Sequence, residues 1–548
     1  MIPTAKEQRQ NFLTGAAILA GGIALVKVLG ALFRIPLYNL IGSEANGHFT
    51  IAHNIFGFLL VVSTTGLPIA LSKMVAESTA AERHREASRI FRVALAAFIV
   101  IGSMGALAML FGARYYANVL VESPESYWAV MAIAPNIFFV MLASSYRGFH
   151  QGRSNMVPTA TSQVIEAAGR LMIGFALAWW LQRAGYGPGI TAAGAILGVT
   201  AGTALCTVYL AFVKRPGIPV GSVQDSASHK ALLKRLAKIA VPITLGASML
   251  ALASFIDGIM VVRRLQESGL SQDELMRLFR LGEIAEASRH AGATALYGMY
   301  GAVMSLFNLP TAIITALSVS IIPAVSAALT RNDPEKARGS VESALRITAL
   351  IILPAGMGLS ILSWPILNLL YPLQPVSNQT IAPALALLGP AVLFNALTLL
   401  PNAVLQAYGK VNVPIFSLMA GGLVKIAVNY VLVGNPAIGI LGAAYGTLCC
   451  YGVIAAINLT VLMRTKALPP LGRTFLRPLM AAAGMGAAVW LTYPVLARFL
   501  GERLGAILGI LFGIVLYIAL VAAFRAIRKS DLLLLPKGET MARFLRLD

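Results

Sequence analysis

Six ionisable side chains lie inside long apolar stretches of this sequence, where a charge is costly. They are Lys27, Arg34, Glu166, Arg170, Asp257 and Lys425. At the centre of a membrane-spanning helix each costs up to ~3 kcal/mol, so such residues normally face a cavity or a partner. The first four carry three positive charges and one negative charge, and the last two carry one of each. This surplus predicts a cavity for a large polar anion such as a phosphate or diphosphate, and it disfavours the export of cationic drugs.

Five of these six charges also have a structural explanation. Arg34 lies near the predicted outer end of its helix, so its side chain can extend to the membrane surface. Glu166 and Arg170 are four residues apart on one helix face and can neutralise each other. Asp257 and Lys425 can form a static ion pair.

The composition indicates that the stretches holding these residues cross a membrane. Of the 548 residues, 57% are hydrophobic and 12% are charged, whereas a soluble domain has about 25% charged residues. So few charges cannot cover the surface of a water-soluble protein of this length. The net charge of +21 comes from short basic clusters between apolar runs, which is typical of loops that meet anionic headgroups. We therefore expect membrane lipids, and no nucleic acid, as partners.

Fourteen apolar runs are long enough for a helix of about 20 residues, the length that spans a bilayer. With a cytoplasmic N-terminus, the inner segments hold 30 Lys and Arg, the outer loops 9 and the membrane interior 4. Positive residues favour the cytoplasmic side. We therefore predict an all-α polytopic membrane protein with fourteen transmembrane helices and both termini in the cytoplasm.

The two halves of the chain resemble each other. Three residues recur 255 positions later, namely Pro135, Gln151 and Arg170 as Pro390, Gln406 and Lys425. This predicts two pseudo-symmetric six-helix lobes, residues 1–215 and 236–465, joined by a cytoplasmic linker, 216–235. Residues 466–548 add two C-terminal helices and a cytoplasmic tail. Two repeated lobes around a central cavity are typical of an alternating-access transporter.

Catalytic and metal-binding motifs are not recognisable in the sequence. It has no Gly-rich phosphate loop and no evident pairing of a nucleophile with a base. Its three cysteines lie in apolar runs, and its six histidines have no ligand spacing. We therefore expect neither an enzyme nor a resident metal or cofactor.

Four segments carry a resemblance to a known family: Lys27–Pro36 (KVLGALFRIP), Leu296–Gly301 (LYGMYG), Leu353–Gly358 (LPAGMG) and Lys425–Tyr430 (KIAVNY). With the fourteen spans, they resemble the multidrug/oligosaccharidyl-lipid/polysaccharide exporter superfamily over nearly the whole chain. Within it, the chain is most similar to the polysaccharide-transporter branch of stage V sporulation protein B and MurJ-like lipid II flippases.

This resemblance implies a flippase that moves an undecaprenyl-diphosphate-linked sugar, foremost lipid II, from the inner to the outer leaflet. Lys27 and Arg34 match a basic pair that is thought to meet the diphosphate, and Arg170 and Glu166 complete the predicted substrate site. The alternatives are a flippase for another lipid-linked glycan, such as a capsule or spore-cortex precursor, and a cation-coupled drug antiporter. Cell-wall synthesis proteins are candidate partners.

The family also implies a coupling site. In sodium-coupled relatives an acid in the seventh span joins polar residues of the eleventh and twelfth spans, which Asp257, Asn429 and Thr447 match. Lys425 replaces an uncharged ligand, and its ammonium group can take the place of a sodium ion. Coupling to H⁺, to Na⁺ or to the membrane potential therefore remains open.

Overall fold

The computed structural model of the protein describes residues 5–213, 228–268, 287–465 and 467–527. Within these ranges the chain forms sixteen α-helices and two π-helical turns, with no strand. By their mutual contacts the residues group into two compact units. The first unit comprises Met1–Gln266 and Glu283–Gly301, and the second comprises Glu267–Gly282 and Ala302–Asp548.

The first unit contains eight helices and the beginning of a ninth. They are α1 (Ala5–Thr64), α2 (Gly66–Ala80), α3 (His84–Tyr115), α4 (Ser126–Gly152), α5 (Val157–Gly169), α6 (Phe175–Arg183), α7 (Pro188–Phe212), α8 (His229–Glu267) and α9 (Ala287–Thr330). A π-helical turn, Arg170–Gly174, joins α5 to α6, and another, Tyr116–Leu120, continues α3.

The second unit contains the rest of α9 and seven further helices. These are α10 (Pro334–Ile361), α11 (Ser363–Leu370), α12 (Pro375–Ala407), α13 (Asn412–Val433), α14 (Leu441–Arg464), α15 (Leu471–Leu500) and α16 (Glu502–Ala523). Its main core lies where α10, α12 and α14 meet and includes Val341, Leu400 and Leu462.

Twelve helical stretches of the described chain are long and apolar enough to cross a membrane. One of them, Leu32–Ala80, includes the end of the predicted first span and all of the second. Helix α8, the predicted seventh span, is not among the twelve. The all-helical, multi-pass architecture is therefore confirmed, and the count of fourteen stays a prediction.

Large apolar side chains on the outside of both units are consistent with a lipid environment. Phe111 on α3 is 83% exposed, Phe212 on α7 is 81% exposed, and Phe499 on α15 is 80% exposed. Many large apolar side chains are exposed in this way, and such surface promotes aggregation in water. The exposed faces of these helices therefore belong against hydrocarbon.

The helices that carry the residues related by the 255-residue shift have corresponding packing partners in the two units. In the first unit α4 packs against α3 and α7, and α6 packs against α7. In the second unit α12 packs against α10 and α14, and α13 packs against α14. This order agrees with a duplicated chain. The lobe boundaries at residues 215 and 236 stay a prediction. By its contacts, α8 groups with the first unit.

Two glycines of α7 allow a very close helix contact within the first unit. A Cβ atom added at Gly198 of α7 would lie 2.1 Å from the Gly174 Cα atom, and one added at Gly202 would lie 2.5 Å from the Glu166 carbonyl oxygen. Small residues four apart let membrane helices approach to backbone contact. Helix α7 therefore lies directly against the segment that carries Glu166 and Arg170.

Candidate substrate-binding site

A sharp bend in α1 builds one side of the candidate site. Gly42 has φ 78° and ψ −178°, a conformation that is essentially restricted to glycine. Along a straight helix, residues 34 and 46 would be roughly 18 Å apart. Instead Arg34 Nη1 donates a 3.5 Å hydrogen bond to Asn46 Oδ1. The bend at Gly42 therefore makes this contact possible.

Arg34 rests on an aromatic surface beyond the bend. Its guanidinium carbon lies 4.4 Å from the centroid of the Phe49 ring, within the range of a cation–π interaction. Asn46 in turn donates a 2.7 Å hydrogen bond to the Gly298 carbonyl oxygen of α9. The side chain of Arg34 is half-buried, so these contacts hold it against the protein.

Three charged groups form a second cluster where α4 and α5 meet. Arg147 Nη2 lies 2.9 Å from Glu166 Oε2, and Arg170 Nη2 lies 3.4 Å from Glu166 Oε1. Arg147 Nε also donates a 2.9 Å hydrogen bond to Ser162 Oγ. The Glu166 carboxylate thus pairs with two guanidinium groups, so the net charge of these three groups is positive.

Arg170 is the first residue of a π-helical turn. Such turns are rare and often occur at functional sites, because the inserted residue redirects the side chains around it. The Arg170 Nε atom is buried and has no hydrogen-bond partner among the described residues. Since a buried donor without a partner is costly, Arg170 is ready to donate to an incoming anion.

His53 connects the two clusters. Its ring is 6.1 Å from the Phe49 ring, centroid to centroid, and both Arg34 and Arg170 act on it electrostatically. Its Nδ1 atom is buried and has no hydrogen-bond partner within the described chain. Arg34, Arg147, Arg170, Glu166 and His53 therefore form one electropositive region, which we call the cationic site.

Sequence reasoning identified Arg34, Glu166 and Arg170 but missed Arg147 and His53. Arg147 was counted with the inner loops, since it stands near the end of an apolar run. In the structure α4 continues to Gly152, so Arg147 lies inside a helix. His53 has no neighbour in sequence that would reveal its position. Lys27 lies within α1, and its side chain is outside the described part of the chain.

The predicted coupling residues fall in both units. Asn429 of α13 is fully buried, and a Cβ atom added at Gly446 of α14 would lie 1.8 Å from its Oδ1 atom. Next to Gly446, the Thr447 hydroxyl donates a 2.9 Å hydrogen bond to the Ala443 carbonyl oxygen. Asn429 and Thr447 therefore lie on two adjoining helices. Lys425 is half-buried, one turn before Asn429.

Asp257 belongs to the first unit. It is 7% exposed, on α8. A Cβ atom added at the adjacent Gly258 would lie 1.8 Å from Asn54 Nδ2 and 2.9 Å from the Tyr297 hydroxyl oxygen. Asn54 also donates a 3.4 Å hydrogen bond to the Phe255 carbonyl oxygen. Asp257 is thus buried, and the turn of α8 that carries it packs closely against Asn54 and Tyr297.

The second unit contains an apolar cavity of about 520 Å³. It is lined by α9, α10, α11, α15 and α16, with residues such as Leu309, Gly358, Val489 and Ile514. The lining hydroxyl of Tyr517 donates a 2.8 Å hydrogen bond to the Leu350 carbonyl oxygen. Since this polar group is satisfied, the cavity suits a hydrocarbon chain.

Membrane-spanning helices around buried charges define a multi-pass membrane transporter. Residues 12–330 match the family model for polysaccharide biosynthesis proteins, and residues 280–527 match the model for the lipid II flippase MurJ. The chain belongs to the polysaccharide biosynthesis protein family, and it is a transporter rather than an enzyme. The family resemblance inferred from the sequence is confirmed.

Individual relatives cover most of the chain. Stage V sporulation protein B of Bacillus subtilis strain 168 is 26% identical over 470 residues, which cover 84% of this chain and 85% of that protein. Lipid II flippase MurJ of the same organism is 23% identical over 520 residues, with coverage of 89% and 90%. A solved inward closed conformation of a lipid II flippase MurJ shares the fold, with a TM-score of 0.70 and 15% identity, and covers 93% of this chain and 98% of that one.

Replacing Gly42 by alanine should lower the free energy of unfolding by about 1–3 kcal/mol, because a Cβ atom strains this backbone conformation. Thermal unfolding of the purified protein in detergent measures the loss. Gly57→Ala is the matched control, since Gly57 lies in the same helix with open space around it. Equal stability of the two variants would contradict the role of the bend.

Proposed function

We propose that this protein is a flippase for an undecaprenyl-diphosphate-linked sugar, with lipid II as the foremost cargo. The cargo moves from the inner to the outer leaflet of a bacterial plasma membrane by alternating access. In this proposal both termini are cytoplasmic. The cationic site holds the diphosphate, and the apolar cavity of the second unit holds part of the polyprenyl chain.

The excess of positive charge in the cationic site carries this proposal. Among the described residues that form this site, three guanidinium groups, of Arg34, Arg147 and Arg170, accompany the carboxylate of Glu166. A membrane protein gains nothing from an uncompensated positive charge unless an anion visits it. A diphosphate supplies two negative groups and several acceptor oxygens, and guanidinium groups bind such oxygens strongly.

One donor of the cationic site supports the same ligand. Arg170 Nε has no hydrogen-bond partner within the described chain, so a phosphate oxygen can accept from it without breaking a contact. Glu166 keeps Arg147 and Arg170 in place without cancelling both charges. Lys27, seven residues before Arg34 in the sequence, is the other member of the proposed basic pair.

A second lipid-linked glycan is the alternative cargo. The chain is 26% identical to stage V sporulation protein B and 23% identical to the MurJ flippase of the same bacterium. These similar values favour neither relative's cargo. A capsule or spore-cortex precursor carries the same diphosphate and would use the same cationic site.

Coupling is part of the proposal. Asp257, Lys425, Asn429 and Thr447 are the proposed coupling residues, with H⁺, Na⁺ or the membrane potential as the source of energy. Asp257 and Asn429 are both buried. A buried carboxylate that changes its protonation or its cation partner during transport can link an ion gradient to the movement of the cargo.

The protein should support growth of a bacterium depleted of its own lipid II flippase. Arg34→Ala and Arg170→Ala should each lower flipping in reconstituted vesicles about 10- to 100-fold, which corresponds to the loss of a hydrogen bond to a charged group. Arg183→Ala is the control, because Arg183 ends α6 with its guanidinium over Trp179, 5.4 Å from the ring centroid.

Failure to support growth despite normal membrane expression would exclude lipid II as the cargo. Flipping of another diphosphate-linked glycan would then favour the alternative cargo. A gain of drug resistance in the same cells would indicate a drug antiporter. Full activity of both arginine variants would contradict the diphosphate site.

Gly358→Phe should lower flipping of a full-length polyprenyl substrate while leaving the protein folded. Gly358 lines the apolar cavity with open space beside it, so a phenyl ring fills part of that volume. Gly452→Phe is the control, since Gly452 also has open space but does not line this cavity. Equal flipping by the two variants would contradict the role of the cavity.

The double variant Asp257→Asn, Lys425→Met should fold but flip the cargo without responding to an ion gradient. The double change removes one negative and one positive group, so the net charge of the protein stays the same. Flipping in vesicles, with and without imposed H⁺ and Na⁺ gradients, measures the response. Gradient-dependent flipping by the folded double variant would exclude a coupling role and favour a static ion pair.

A further inference from the structure

Three potential metal ligands converge where α1 bends and where α4 begins. They are Glu44 and His48, one helical turn apart in α1, and Glu125, directly before α4. One oxygen of each carboxylate and one ring nitrogen of His48 all lie within 4.8 Å of one another. His48 Nε2 lies 3.6 Å from Glu125 Oε2.

His48 is oriented as a ligand. The side chain is 2% exposed, and its Nδ1 atom lies 2.7 Å from the Ser126 hydroxyl oxygen. When Nδ1–H donates to Ser126, Nε2 carries a lone pair that faces the carboxylates. Nε2 is buried and has no hydrogen-bond partner among the described residues. Metal-binding histidines commonly use their second nitrogen in this way.

Glu125 is also held by α7. Its Oε2 atom, which faces His48, accepts a 3.3 Å hydrogen bond from the Gly189 backbone N–H at the start of α7. The side chain is 58% exposed, so an ion can reach it from water, whereas Glu44 is half-buried. Two carboxylates and a nitrogen lone pair repel one another unless a cation lies between them.

We propose that Glu44, His48 and Glu125 bind a divalent transition-metal ion, with Zn²⁺ as the best fit. Zinc takes imidazole and carboxylate ligands, usually in tetrahedral geometry, at about 2.0–2.2 Å. Tetrahedral ligands at this range are roughly 3.4 Å apart, close to the His48–Glu125 distance. Calcium and magnesium prefer sites made of oxygen alone. The fourth position is left for water.

Bound zinc links three segments of the first unit to one another. It ties the bend of α1 to the turn before α4, and through Glu125 to the start of α7. In the same turn, the Ser123 hydroxyl lies 3.2 Å from the Thr294 hydroxyl oxygen of α9. Sequence reasoning missed this site, because Glu125 is distant in the chain and only folding brings it to His48.

Zinc binding to the full-length chain in detergent tests the proposal, after removal of any purification tag and of metal with EDTA. Elemental analysis should find one Zn²⁺ per chain after dialysis against ZnCl₂, and added zinc should raise the thermal midpoint. Glu125→Gln and His48→Gln should each lower the zinc affinity at least about tenfold. Glu122→Gln is the matched control, because Glu122 lies in the same turn and pairs with Arg263 at 2.8 Å.

Three results would overturn the proposal. The first is the absence of bound zinc in the wild-type protein, and the second is equal zinc binding by the wild type and Glu125→Gln. The third is a thermal midpoint that falls equally in Glu125→Gln with zinc and with EDTA. That result would indicate a protonated His48 paired with Glu125 rather than a metal site.

Discussion

The cost of placing positive charge among apolar helices is the constraint on which the first unit depends. Arg34, Arg147 and Arg170 have one carboxylate, Glu166, close to two of them. Lipid cannot solvate the remaining charge, so protein must shape a cavity around it. Phe49 supplies an aromatic face and Asn46 supplies an amide oxygen to Arg34. These are neutral contacts, which hold a cation without removing its attraction for an anion.

Backbone geometry provides the positions that these contacts need. The bend at Gly42 brings the side chains of Arg34 and Asn46 together. The π-helical turn at Arg170 interrupts an otherwise regular helix. Gly198 and Gly202 allow α7 to touch that interrupted helix at backbone distance. Each feature is unfavourable or neutral for an isolated helix. Together they indicate that the chain gives up regular helix geometry where it surrounds the buried charges.

Some of this architecture could be predicted and some could not. Helix type and membrane location follow from long apolar runs, and the Glu166–Arg170 contact follows from a spacing of four residues on one helix. The count of spans is harder, since α1 bends at Gly42 but continues as helix through two predicted spans. Arg147 and Glu125 were missed because their partners are distant in the chain. Local periodicity cannot reveal contacts that form only when helices pack.

Arg170 and Lys425, which are 255 positions apart in the sequence, have different surroundings. Arg170 begins a π-helical turn, whereas Lys425 lies in regular helix. Arg170 faces a second guanidinium group across Glu166, and Lys425 stands one turn before the buried amide of Asn429. A guanidinium group can bind phosphate oxygens through two donors at once. The two arginines of the first unit therefore suit an anion, whereas Lys425 has a neutral amide as its neighbour along the helix.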